Sequence, residues 1–83
     1  MSRVNFVFMD YKDYIESNAN VMLGKPVVKG TRITVALILK KLSEGASSEE
    51  ILSAYPNLTL MSISAVLAYA ADVVSNETLI AAA

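Results

Sequence analysis

The stretch Thr34 to Val74, TVALILKKLSEGASSEEILSAYPNLTLMSISAVLAYAADVV, carries three helical signals in succession and decides the fold. Val35, Ile38, Leu39 and Leu42 stand at i, i+3, i+4 and i+7, one apolar helix face, with Thr34 placed to cap the start and Gly45 to stop the end. This predicts a first helix over about 34–44. Ser47-Ser48-Glu49-Glu50 reads as a capping box, with Ser47 as the cap and Glu50 three residues on, and it sets two carboxylates at the positive end of the helix dipole. Ile51, Leu52 and Tyr55 form the buried face of that second helix, which Pro56 ends after two turns. Thr59 caps a third helix, with Leu58 and Ile63 spaced as a hydrophobic staple, and it runs to about Val74.

In the third helix Ile63, Val66, Leu67, Ala70 and Val74 make the expected core stripe, while Leu60, Met61, Ala65, Ala68 and Tyr69 fall largely outside it. A helix apolar on nearly all sides is buried on nearly all sides, so its second face is expected to meet a partner chain.

Upstream, residues 4–9 (VNFVFM) are β-prone and read as a strand or an arm, and 14–17 read as a short strand followed by a turn at 18–20. The segment VMLGKPVVKGTRITV (21–35) places β-branched residues between Gly24, Pro26 and Gly30. That pattern predicts short strands with tight turns and positive φ at both glycines. The organisation is a single domain over 1–83: an arm (1–13), a β element (14–35), a three-helix bundle (34–75) and a tail (76–83). The fold class expected is mainly α, a three-helix bundle of helix-turn-helix type preceded by short β-strands.

Composition bounds the function. At 83 residues the chain is 54% hydrophobic and 18% charged, far from the polar composition that keeps chains disordered and more apolar than one small core absorbs. It contains neither cysteine nor histidine. This excludes disulfides, thiolate chemistry, Ser-His-Asp triads and the usual zinc sites, makes the cytoplasm the default compartment, and leaves no catalytic residue, metal or cofactor to expect. The uncharged run 51–71 matches a bilayer span in length, but Pro56 and Asn57 interrupt it and no Lys or Arg flanks its C-terminal side. A membrane span is rejected.

Net charge is −1, yet residues 25–41 carry Lys25, Lys29, Arg32, Lys40 and Lys41 with no acid, and residues 42–83 carry only acids. The basic cluster is a candidate phosphate-contacting surface for DNA and equally a solvated face or the complement of a neighbouring subunit's acidic half. The second and third helices, joined at Tyr55-Pro56-Asn57-Leu58, have a helix-turn-helix shape. The third begins with Leu60, Met61, Ser62, Ser64 and Ala65, none of which makes a bidentate base contact. Arg32 has an equal claim to a structural role through its five donors. Gly24-Lys25 lacks the preceding glycine and following Ser or Thr of a phosphate-binding loop, and Glu49 and Glu50, as adjacent helical residues, point apart, with capping accounting for one of them.

The segments GKPVVKGTRITV (24–35), LSEGASSEEILSAYPNLT (42–59) and SAVLAYAAD (64–72) together resemble the family catalogued as domain of unknown function 433. Its ordered elements are Gly-Lys-Pro, Gly-Thr-Arg-Ile, a Gly then Ser-x-Glu-Glu-Ile, Tyr-Pro-x-Leu-Thr and Ala-x-x-Tyr-Ala, covering about 14–72 here. The resemblance implies a homeodomain-like three-helix bundle behind a small β element. For some members it implies VapB-like antitoxin activity beside a PIN-like ribonuclease toxin. Leu60, Met61 and Ser62 depart from the acidic pair that members often carry, and the arm 1–13 is an addition. The expectation is a non-enzymatic, homo-oligomeric, antitoxin-like binder of a PIN-like ribonuclease, with an interface at Leu37, Leu60, Met61 and Tyr69. The alternative is a DNA-binding regulator that grips operator phosphates through Lys25, Lys29, Arg32, Lys40 and Lys41.

Overall fold

The computed structural model describes residues 10–76; residues 1–9 of the arm, with the strand expected at 4–9, and residues 77–83 of the tail lie outside the described residues. Asp10 caps a one-turn 3-10 helix at Tyr11–Asp13 by accepting the Lys12 N–H at 3.0 Å. Two short strands follow, β1 (Ile15–Glu16) and β2 (Val27–Val28), paired antiparallel with Ile15 opposite Val28 and Glu16 opposite Val27. Three helices complete the chain: α1 (Val35–Ser43), α2 (Ser48–Ala54) and α3 (Leu60–Asn76). The mainly helical bundle behind a small β element is therefore the architecture observed, with helix boundaries within two residues of those read from the sequence.

Local chemistry explains each boundary. Thr34 Oγ1 accepts from the Leu37 N–H at 3.0 Å and starts α1. At its end Gly45 takes φ +98, while the Ala46 N–H reaches Lys41 O and the Gly45 N–H reaches Leu42 O, both at 3.0 Å. This is the paired hydrogen bonding of a Schellman stop, which needs a left-handed residue at that position. The α2 box closes both ways: Glu50 N–H to Ser47 Oγ at 3.1 Å, and Ser47 N–H to Glu50 Oε1 at 2.7 Å. The start of α3 uses the same reciprocity with a serine as the far partner. Ser62 N–H donates to Thr59 Oγ1 at 3.2 Å and Thr59 N–H to Ser62 Oγ at 3.3 Å, which satisfies the buried Ser62 hydroxyl.

In the β element, Gly30 (φ +78) occupies the position of the 28–31 turn that requires positive φ, and Thr31 closes the turn on Val28 O. The chain then returns through Val35 N–H to Pro26 O at 3.0 Å, which ties the β element to the first residue of α1. The turn at 22–24 departs from expectation. The sequence pattern places Gly24 (φ +82) in the left-handed region, but Met22 (φ +50) and Leu23 (φ +58) join it there. For residues with a Cβ that conformation costs roughly 1–2 kcal/mol each.

Every element contributes to one core. Ile15, Val28, Val35, Ile38, Ile51, Leu58, Ile63, Ala65 and Val66 form a buried cluster, with Leu39, Leu42, Leu52 and Tyr55 half-buried around it. The staple pair Leu58 and Ile63 is inside, as its spacing implies. The rotation of α3 differs from the stripe read in the sequence: Ser62, Ile63, Ala65 and Val66 are its buried residues, whereas Leu67 and Val74 point outward. Two features set this rotation. The Thr59–Ser62 cap turns Ser62 inward, and the 3-10 turn packs on the Tyr69 and Asp72 side of the helix.

Ile38 is fully buried, so Ile38→Ala is expected to cost about 2–5 kcal/mol. Ser47→Ala, which removes one half of an exposed box, is expected to cost about 1 kcal/mol. Urea unfolding followed by circular dichroism checks the order of the two losses, and equal losses would contradict it.

Candidate functional site

The seventeen residues of α3 include a single side chain charged at neutral pH, Asp72, so the outward half of the helix is otherwise uncharged. Asp72 is already engaged: the Tyr11 hydroxyl donates to its Oδ2 at 2.5 Å across 61 residues of chain. Beside it, the Tyr11 and Tyr69 rings meet edge to face with centroids 5.3 Å apart. The 3-10 turn is thereby pinned over the C-terminal half of α3. Tyr69, expected on an intermolecular face, is half-buried, packs on the core and is met by Tyr11 from within the same chain.

The hydrogen bond also sets the acidity of Tyr11. Donation to Asp72 stabilises the protonated phenol, and desolvation and the adjacent carboxylate charge act in the same direction, so its pKa lies above the ordinary 10.0.

Four large apolar side chains of α3 are exposed. Leu60 is 59% exposed, Met61 48%, Leu67 49% and Val74 65%. Leu60, Leu67 and Val74 recur every seven residues, which places them along one line of the helix, with Ser64 and Ala71, both exposed, interleaved between them. Of the interface residues read from the sequence, Leu60 and Met61 thus lie on this face. Leu37 lies half-buried on α1. The outward positions of Leu67 and Val74 were missed because they fit a core stripe in the sequence; their seven-residue spacing from Leu60 was the signal that marks the second line.

The basic residues separate into two groups. Lys40 Nζ sits 3.3 Å from Glu44 Oε2, an exposed i,i+4 pair worth about 0.3–0.5 kcal/mol. Lys41 lines a shallow depression with Glu44, Glu50 and the Ile51 side chain between α1 and α2. Lys25, Lys29 and Arg32 are exposed on the β element and, among the described residues, none has a carboxylate within ion-pair distance. Arg32 shares a depression with Glu16, Thr31 and Asn57, so it stands next to the turn that leads into α3.

Among the described residues no acidic cluster could hold a metal ion, and no helix is long and apolar enough to cross a membrane. A further apolar projection lies on the strained turn, where Leu23 is 91% exposed.

The family described as "Protein of unknown function (DUF433)" matches residues 15–70. A crystal structure of a DUF433 member protein from Anabaena variabilis, at 2.00 Å resolution, has the same fold with a TM-score of 0.72 and 26% sequence identity. The similarity covers 87% of this chain and 71% of that one. No curated protein matches.

Because the pKa of Tyr11 is raised, its contact with Asp72 stabilises the docked turn at all pH values below the unfolded tyrosine pKa. The contact is lost as the pH rises through the folded value. An alkaline titration followed by near-ultraviolet absorbance is expected to show one tyrosine ionising late, and Asp72→Ala is expected to remove that late phase. A late phase that persists in the variant would refute the assignment.

Proposed function

The chain belongs to the DUF433 family, and from that premise we propose that it is a non-enzymatic, cytoplasmic binding protein, an antitoxin-like partner of a PIN-like ribonuclease. The observation that carries this reading is the exposed apolar face of α3, beginning at Leu60 and Met61. In a helix-turn-helix arrangement α3 would be the helix offered to the major groove. Base reading there calls for Arg, Lys, Asn or Gln in the first turns, and this helix presents Leu60, Met61 and Ser64 instead. Large exposed apolar side chains of this kind suit contact with protein.

The absence of histidine and cysteine from the whole sequence supports the non-enzymatic part of the reading, since it removes the common bases and nucleophiles at neutral pH. The partner class comes from the family resemblance. Co-expression of the tagged chain with the product of its neighbouring gene is expected to recover the two together. Failure to recover any ribonuclease of that class from such pairs would sink the reading.

A second reading, operator binding, draws on Lys25, Lys29 and Arg32, which are exposed on the β element, Arg32 beside Asn57 in the turn before α3. Phosphate contacts by these three would give a binding constant that falls steeply with salt. A gel-shift titration on the protein's own promoter at two salt concentrations tests it: Lys29→Ala is expected to lower the salt slope by about one. No shift at low salt would exclude this reading.

A further inference from the structure

We infer that the outward line of α3 pairs with the same line of a second copy of this chain, antiparallel, about a two-fold axis at Leu67. The inference rests on the reading of this face as a protein contact and names what occupies it. Four observations point to a second copy and to this geometry.

The exposed large residues Leu60, Leu67 and Val74 repeat every seven residues, the period at which one helix keeps facing another. A partner in extended conformation would call for no such period. Next, the positions between them are small, Ser64 and Ala71, so the line alternates projection and recess. Turned about a two-fold axis at Leu67, such a line meets itself with Leu60 of one copy beside Val74 of the other. Each Leu67 then lies near the Ser64 and Ala71 recesses of its mate, which allows close approach of the backbones.

Charge agrees with both points. No ionisable side chain lies on the line, so nothing repels an identical copy, and Asp72 at its flank is held by Tyr11. Helix dipoles favour the antiparallel sense, which sets the positive N-terminal end of one α3 against the negative C-terminal end of the other.

Size sets the strength. Leu60 to Val74 spans about 21 Å of helix. A single pair of helices touching along that length makes a smaller contact than the ~800 Å² per chain of a standard stable complex. The pair is therefore expected to be concentration-dependent rather than obligate.

The test uses the isolated full chain, without any neighbouring gene product. Sedimentation over a range of concentrations is expected to show exchange between the 8.9 kDa monomer and its dimer. Leu67→Glu is expected to raise the dissociation midpoint by roughly tenfold or more, since it sets two like charges together in an apolar contact. Leu67 is half-exposed in the monomer, and an unchanged circular dichroism spectrum confirms that the variant folds. The chain lacks cysteine, so single introduced cysteines report the geometry. Leu67→Cys, at the axis, is expected to cross-link two copies under mild oxidation. Leu60→Cys alone is expected not to, because its copies lie about 21 Å apart in the antiparallel pair. A monomer at all concentrations overturns the inference, as does a dimer indifferent to Leu67→Glu. Efficient cross-linking through Leu60→Cys overturns the antiparallel sense. A monomer that nevertheless co-purifies with a ribonuclease would end this inference and leave the antitoxin-like proposal standing. A dimer with no such partner would do the reverse.

Discussion

The shared core between the β element and the three helices is the constraint on which the rest of the molecule depends. A chain this small lacks the volume for separate cores, and Val28 from a two-residue strand is buried in one cluster with Ile38 of α1, Ile51 of α2 and Val66 of α3. The β pairing alone is too short to be stable, and the helices alone would leave one side of the cluster open. Each part becomes stable only against the others. The hydrogen bond from Val35 N–H to Pro26 O links the two parts of the fold at the place where the chain passes from sheet to helix.

With so little core, the ends of the helices matter more than they would in a larger domain. All three starts are capped by side chains, and α1 stops through a left-handed glycine. These devices satisfy backbone groups that would otherwise oppose burial, and they restrict where each helix can begin, which in turn fixes the face it turns inward. The Thr59–Ser62 pair has the furthest consequences. By burying a serine hydroxyl with its hydrogen-bond partner, it allows a polar residue on the inner side of α3 and so directs Leu60, Leu67 and Val74 outward.

That rotation creates the surface on which the functional argument rests. A composition of 54% hydrophobic residues in 83 exceeds what the core uses, and a substantial part of the excess stands in one line on α3 instead of being scattered. The strained turn with its exposed Leu23 is a second, smaller part of it. The basic residues of the charge gradient are carried by two different parts of the fold. Lys40 and Lys41 lie beside Glu44 and Glu50, while Lys25, Lys29 and Arg32 belong to the β element.

Local signals determined much of this protein from the sequence alone. Capping residues, a stop glycine, a proline after α2 and the family's ordered motifs gave the class of fold, the helix limits and the two short strands, because each depends on neighbours within a few residues. Three matters were decided only by tertiary structure. The rotation of α3 was one, since an almost uniformly apolar helix fits a core on several sides and only its contacts with the Thr59 cap and with Tyr11 choose among them. The enclosure of Tyr69 by a ring 58 positions away is another. The left-handed conformation of Met22 and Leu23 is the third. No residue preference favours it, and the local hydrogen bonds from Gly24 and Lys25 back to Val21 and Met22 that close the turn form only once the flanking chain is held in place by the rest of the fold.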